Sequence, residues 1–190
     1  MSSRFGWVIV AEDLKPQERE VLQDFRRDKT PVQQRRAKAS DHIMWKVDDA
    51  LELCFGYGTG FTLIQGQYDL GLSSFEKIDE LCRRYSKSSM VLWLAVEGTS
   101  GSYLLKKFKD GNLVQSYASY EGREAEMECL GAKPEKDKYG QIGEWELVKE
   151  VEKEGISYRA ISELEFKVYN YPEPSETPTP VSRRWWQFWK

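Results

Sequence analysis

The segment Ser102–Tyr120, SYLLKKFKDGNLVQSYASY, constrains the fold more than any other part of the chain. Two runs rich in Leu, Phe, Val and Tyr flank Asp110-Gly111, and this dipeptide readily adopts the two positive φ angles of a type I′ turn. The pattern therefore predicts a β-hairpin. An isolated hairpin is only marginally stable in water, so other strands or a helix must pack against it.

The turn also predicts how the two strands of the hairpin pair. With Asp110 and Gly111 as the loop, Phe108 faces Leu113 and Leu104 faces Tyr117. Both pairs are apolar and share one face of the hairpin, so we expect this face to contact the core.

Apolar and β-branched runs predict further strands on both sides of the hairpin. These runs are Arg4–Ala11, His42–Val47, Phe61–Ile64, Ser89–Glu97 and Glu163–Tyr171. The run Ser89–Glu97 is almost continuously apolar, which is typical of a central strand buried on both faces.

Helix signals lie between the predicted strands. Pro16 suits the first turn of a helix that ends near Phe25, and Ser73 with Glu76 has the spacing of a capping box. Asp48–Phe55 predicts a short buried helix. A fourth helix is predicted up to Gly155, with its buried stripe at Ile142, Trp145, Val148 and Val151. We expect the cationic segment Arg26–Lys38 to be an exposed loop or a frayed helix.

The order of these elements indicates an α+β domain. We expect a mainly antiparallel sheet of about five to seven strands with a central meander, packed with about three or four helices. One globular domain is predicted over residues 1–171. Residues 172–190 are predicted to be a disordered, Pro-rich linker followed by a Trp-rich basic tail, RRWWQFWK.

Composition narrows the classes of partner and cofactor. The formal net charge of −3 on 190 residues favours no nucleic-acid partner. Cys54, Cys82 and Cys129 form no CxxC pair, so we expect free, mostly buried thiols rather than disulfides or a zinc site. We expect no cofactor. The sequence shows neither a signal peptide nor an apolar run long enough to span a bilayer, which predicts a cytoplasmic protein.

The residues needed for catalysis are not assembled in any recognisable pattern. His42 is the only histidine, and it adjoins an apolar run. Gly56, Gly58 and Gly60 precede a predicted strand, the reverse of the order in a phosphate-binding loop, so they indicate a turn. We therefore expect a protein that is not an enzyme, with an uncharacterised small enzyme as an alternative.

The hairpin and its surroundings resemble a known class of proteins. A central strand, a hairpin of the form xLxxFKDGxLVxxY and an acidic stretch leading to a helix around Trp145 are similar to small bacterial immunity proteins. The resemblance spans about Phe61–Gly155. It implies a cytoplasmic, non-enzymatic protein that binds and neutralises a secreted antibacterial toxin encoded beside it. The partner-binding residues that it implies are Glu121, Glu124, Glu126 and Glu128.

The basic tail is the part of the sequence that folding explains least. It places four large aromatic side chains and three cations in eight residues, which indicates binding. Docking into a groove of a partner or of its own domain, weak contact with a membrane interface, and a remnant without a role are the alternatives. A peripheral adaptor whose tail docks on a membrane or a membrane protein is thus an alternative function. The candidate tail residues are Arg183, Arg184, Trp185, Trp186, Phe188 and Trp189.

Overall fold

The computed structural model describes residues 4–25, 33–39, 52–66, 75–125 and 128–171. The strands within these ranges are β1 (Arg4–Val10), β2 (Gln33–Lys38), β3 (Glu52–Gly58), β4 (Phe61–Gly66), β5 (Val91–Glu97), β6 (Ser102–Lys109), β7 (Asn112–Tyr120), β8 (Arg123–Glu124) and β9 (Glu165–Asn170). The α-helices are α1 (Glu18–Phe25), α2 (Phe75–Tyr85), α3 (Glu144–Lys153) and α4 (Tyr158–Ser162). A 3₁₀ turn, Lys15–Gln17, leads into α1.

All of these strands belong to one sheet, in the order β2-β9-β3-β4-β1-β5-β6-β7-β8. Every neighbouring pair is antiparallel. The prediction of an α+β domain with a mainly antiparallel sheet is confirmed. The predicted number of about five to seven strands was too low, because the described residues form nine strands. No helix within the described ranges is long and apolar enough to cross a bilayer.

The centre of the sheet is buried on both faces. Every residue of β5 is buried, as the continuous apolar run predicts. Val91, Trp93 and Ala95 pack on the face covered by α1 and α2, whereas Leu92 and Leu94 pack on the face covered by α3 and α4. Helices therefore cover both faces, and the domain has three layers.

The hairpin turn has the conformation that Asp-Gly predicts. Asp110 has a φ angle of 52° and Gly111 has one of 75°, and Phe108 pairs with Leu113 as expected. A bulge beyond this pair leaves Val114 without a partner residue on β6.

The bulge changes the register of the rest of the hairpin. Leu104 faces Ala118 rather than Tyr117, and it is Leu105 that faces Tyr117. The predicted pairing of Leu104 with Tyr117 was therefore wrong. The extra residue turns Tyr117 to the face opposite Phe108, where it packs with Leu105 in the core under α3.

The segment predicted as a short helix at Asp48–Phe55 forms a strand where it is described, from Glu52 onward. Its side chains alternate between the two cores, with Leu53 and Phe55 on the α1 face and Cys54 on the other. Burial on both faces of a sheet outweighs the helical spacing of this short apolar run. Gly56 belongs to the same strand, where a Cβ atom would lie 2.7 Å from the ring of Phe166.

The prediction for Arg26–Lys38 was wrong for the second half of this segment. Residues 26–32 lie outside the described ranges, but Gln33–Lys38 form β2 beside β9. The sequence QQRRAK favours a strand only weakly, so backbone pairing with β9 rather than local propensity makes it one. The predicted strand at His42–Val47 and the capping Ser73 also lie outside the described residues, as do residues 172–190.

The remaining helix predictions are largely confirmed. Pro16 lies in the 3₁₀ turn before α1, and Gly155 ends the α3 segment with a φ angle of 83°. The short helix α4 was not predicted. Its cap is Ser157, whose hydroxyl accepts a hydrogen bond from the Ala160 backbone N–H at 3.1 Å.

Replacing Gly111 tests the hairpin turn directly. A Cβ atom at this position meets no atom closer than 3.5 Å, so Gly111→Ala adds backbone strain without a steric clash. We expect it to lower the free energy of unfolding by about 1–2 kcal/mol, measured by urea denaturation. Asp110→Asn is the control, because asparagine tolerates a positive φ angle. Equal stability of Gly111→Ala and the wild type would contradict the assigned turn.

Candidate interaction surface

Two large aromatic side chains on the α3 side of the described domain are exposed to solvent. Tyr139 is 75% exposed and Trp145 is 53% exposed. Tyr139 lies in the segment that leads into α3, and Trp145 lies in the first turn of that helix. Trp145 was predicted to lie on the buried stripe of this helix, and that prediction was wrong.

The turn around Asp137 holds Tyr139 in place. The Asp137 Oδ1 atom accepts hydrogen bonds from the backbone N–H groups of Tyr139, at 2.9 Å, and Gln141, at 2.8 Å. Two backbone hydrogen bonds close the same turn, Asp137 N–H to the Gln141 carbonyl and Gly140 N–H to the Asp137 carbonyl. The Tyr139 ring therefore projects from a well-ordered loop.

Trp145 projects from the first turn of α3. The Glu146 carboxylate accepts a hydrogen bond from the Gly143 N–H at 3.2 Å and so fixes the start of the helix. Leu147, Val148 and Val151 face the sheet. At 3.6 residues per turn, Trp145 lies about 160° around the helix axis from Leu147 and about 120° from Val151, so it falls at the edge of the buried face rather than within it.

The indole of Trp145 is supported by Tyr158 on α4. The two ring centroids are 5.3 Å apart and the rings meet edge to face, at 71°. We call Tyr139, Trp145 and Tyr158 the aromatic surface. Rigid aromatic side chains lose little conformational entropy on binding, so this arrangement suits contact with a partner.

The acidic residues suggested by the resemblance are partly engaged within the domain. Glu121 lies in the turn between β7 and β8, with a φ angle of 51°. Glu124 forms an ion pair with Lys133, and the Glu128 carboxylate accepts a hydrogen bond from the Tyr120 hydroxyl.

Not every residue suggested by the sequence is described. Glu126 lies outside the described ranges. The same is true of the suggested tail residues Arg183, Arg184, Trp185, Trp186, Phe188 and Trp189.

A second cluster surrounds the carboxylate of Glu18 at the start of α1. It accepts hydrogen bonds from the hydroxyls of Tyr57, at 2.6 Å, and Tyr169, at 2.5 Å, and from Lys167 Nζ, at 2.7 Å. These partners come from β3 and β9. The cluster thus attaches the first turn of α1 to one half of the sheet.

The protonation states in this cluster fit an anchor better than a reactive group. Burial alone would raise the pKa of Glu18, but the hydrogen bonds from Lys167, Tyr169 and Tyr57 outweigh it and lower the pKa. Burial and the bond to Glu18 raise the pKa of both tyrosines, so these hydroxyls stay protonated and donate.

Other candidate groups are likewise held in structural roles. Burial raises the pKa of the Cys54 thiol to about 12, so it stays protonated at neutral pH. All three cysteines are free, and two of them, Cys54 and Cys82, are buried, as predicted. Within the described ranges, no three metal-ligating side chains of the His, Cys, Asp and Glu types cluster.

A cleft of about 520 Å³ lies between α1 and the end of α2. We call it the acidic cleft. Its lining includes the carboxylates of Glu12, Glu20 and Asp24 and the side chains of Gln17, Arg84 and Tyr85. Such a polar cleft suits a cationic group rather than an apolar ligand.

The aromatic surface is missed from the sequence because the apolar residues that recur at every third position before Gly155, Trp145 among them, are all expected on one buried helix face. The buried positions Leu147, Val148 and Val151 instead follow an i, i+1, i+4 pattern, which leaves Trp145 outside. A signal for Tyr139 was present. It stands in a polar segment two residues after Asp137 and just before Gly140, the spacing of a side-chain-stabilised turn.

Substituting Glu18 tests whether its cluster anchors α1. We expect Glu18→Gln to lower the free energy of unfolding by about 2 kcal/mol at pH 7, because Lys167 loses its ionic partner. The folded-state pKa of Glu18 lies below its ordinary value of 4.5. Its contribution is therefore complete above about pH 4.5 and is lost as the pH falls through the folded-state pKa.

Urea denaturation of both proteins at pH 7 and at pH 3 measures this difference. The control is the Glu80→Gln variant of α2, whose carboxylate is exposed and outside the acidic cleft, and we expect it to change stability by less than about 0.5 kcal/mol. A difference between Glu18→Gln and the wild type that stays constant from pH 7 to pH 3 would contradict the anchor.

Comparison with known proteins adds no family to this description. No significant match to the chain was found among protein-family models, curated proteins or solved structures.

Proposed function

We propose that this protein is a non-enzymatic binding protein that contacts another protein through its aromatic surface. The observation that carries the proposal is the exposure of Trp145 and Tyr139, 53% and 75%, on a capped helix and on a turn closed by hydrogen bonds. Exposed aromatic side chains on a rigid scaffold are typical anchors of protein interfaces.

The energy available from this surface fits a specific contact. A large aromatic side chain buries about 150–250 Å² when fully covered, so covering the exposed half of Trp145 removes about 100 Å² from water. At about 25 cal/mol per Å², this burial contributes about 2.5 kcal/mol. Tyr139 adds a similar area, and its hydroxyl offers a hydrogen bond at the edge of the contact.

Shape also favours a protein partner. The two aromatic rings project outward from a turn and from a helix, and neither lines the acidic cleft. Projecting side chains fit into a groove of a partner, whereas small molecules are usually bound in concave sites.

We propose that the partner is a toxin neutralised by this protein, as in the immunity proteins that the sequence resembles. The resembling region, about Phe61–Gly155, contains the hairpin, α3 and Trp145. Glu121, Glu124, Glu126 and Glu128 remain proposed contacts for a basic region of such a toxin. The proposed inhibitor acts in the cytoplasm of the cell that makes it.

The double substitution Tyr139→Ala and Trp145→Ala tests the surface. With the product of the neighbouring gene as partner, we expect the dissociation constant to rise at least about 30-fold, measured by isothermal titration calorimetry. Such a rise corresponds to about 2 kcal/mol. We also expect loss of protection when the two genes are expressed together in a growth assay.

The matched control is Val114→Ala with Leu130→Ala, which truncates two exposed apolar side chains elsewhere on the described domain. We expect this variant to bind and protect like the wild type. Equal affinity of both double variants would exclude the aromatic surface as the contact. If the wild-type protein neither binds the neighbouring gene product nor reduces its toxicity, the proposal of an immunity protein fails.

A further inference from the structure

We propose that the basic segment Arg183–Lys190 binds in cis to the acidic cleft between α1 and the end of α2. The proposal rests on the charge of the cleft, on the side chains already held at its wall and on the position at which the described chain ends. It concerns a different part of the molecule from the aromatic surface.

One wall of the cleft already holds an arginine side chain. Arg84 forms an ion pair with Asp24, and its guanidinium carbon lies 5.1 Å from the centre of the Tyr85 ring. The Tyr85 hydroxyl donates a hydrogen bond to the same carboxylate of Asp24 at 2.5 Å. Arg84 thus already uses the Asp24 carboxylate by charge and the Tyr85 ring by stacking, so the segment has to pair with the other carboxylates of the lining.

The cleft retains negative charge beyond this pair. Glu12 accepts a hydrogen bond from the Ser88 hydroxyl at 3.0 Å, and Glu20 is exposed. In the part of the chain that the structure describes, neither carboxylate pairs with a cation. With Asp24 and Arg84 neutralising each other, Glu12 and Glu20 leave the lining with a formal charge of −2.

The segment has the opposite charge and suitable side chains. Arg183, Arg184 and Lys190 are its charged side chains, and it contains no Asp or Glu. Because the whole chain carries −3 and the segment carries +3, the remaining residues carry −6. The partly exposed Tyr85 ring is an aromatic group of the lining that the aromatic side chains of the segment can contact.

The described chain ends on the face of the sheet that carries the cleft. Tyr171 is 3% exposed and belongs to the core cluster that includes Val21 and Phe25 of α1. The side chain of the last described residue therefore packs on the face of the sheet that α1 and α2 cover, which is the face that carries the cleft.

The linker is long enough to reach. Three strand positions separate β9 from β1, about 14 Å at 4.8 Å per strand. The cleft lies past the last residue of β1, and β1 ends level with the start of β9 in the sheet. The path from Tyr171 to the cleft therefore also runs back along the length of β9, about 20 Å. The helix layer adds about 10 Å perpendicular to the sheet, so the straight-line distance from Tyr171 to the cleft is about 27 Å. Residues 172–182, rich in proline, span about 34 Å when extended at 3.1 Å per residue.

Trypsin cleavage of the full chain tests the docking. Release of the peptide that follows Arg184 is measured by mass spectrometry in about 50 mM salt, where charge interactions are weakly screened. We expect release from Glu12→Gln with Glu20→Gln to be at least threefold faster than from the wild type. The difference should disappear in about 0.5 M salt.

The control is Glu135→Gln with Glu163→Gln, which removes two exposed carboxylates, 80% and 64% exposed, outside the cleft lining. We expect its release rate to equal that of the wild type. A second measurement is the amide NMR spectrum of the full chain, in which Arg183→Gln with Arg184→Gln should shift the signals of Gln17, Gln23 and Tyr85.

Several outcomes would overturn the proposal. They are equal release rates in all three proteins, the same acceleration in both double variants, and signal shifts confined to the aromatic surface. Protection that rises with protein concentration would assign the segment to the cleft of a second copy. Protection that appears only with anionic vesicles would assign it to a membrane.

Discussion

The structure depends on a sheet whose central strands are apolar on both faces. Every residue of β5 is buried, and every residue of its neighbour β1 is buried from Phe5 to Val10. Such strands are stable only when helices cover both faces, which forces three layers.

The helices are in turn held by polar contacts that reach into the sheet. Lys106 of β6 binds Asp79 of α2 at 2.7 Å while its ammonium group lies 4.9 Å from the centre of the Trp93 ring.

The two helix layers differ in what they leave exposed. On the α1 side, the helices meet through Asp24, Arg84 and Tyr85 and leave a polar cleft between them. On the α3 side, the helices bury their aliphatic side chains and leave Trp145 and Tyr139 in water. One face therefore offers charge and the other offers aromatic area, and the proposals made for them are independent.

Polar clusters inside the described domain act mainly as connections between layers. Glu18 links α1 to β3 and β9, and its tyrosine partners remain protonated donors. Glu124 and Glu128 connect neighbouring parts of the β7–β8 region rather than pointing freely into solvent. A toxin that used these carboxylates would have to compete with Lys133 and Tyr120 for them.

Local sequence is enough to predict the elements with the strongest signals: the Asp110-Gly111 turn, the buried strand β5 and the helix α2. These depend on φ preferences and on short-range apolar spacing, which neighbours in sequence decide. Three features could be read only from the folded domain: QQRRAK is a strand, a bulge at Val114 shifts the hairpin register, and Trp145 is exposed. For β2 the deciding contact comes from a distant part of the chain, the strand β9, because the local preference of QQRRAK for a strand is weak.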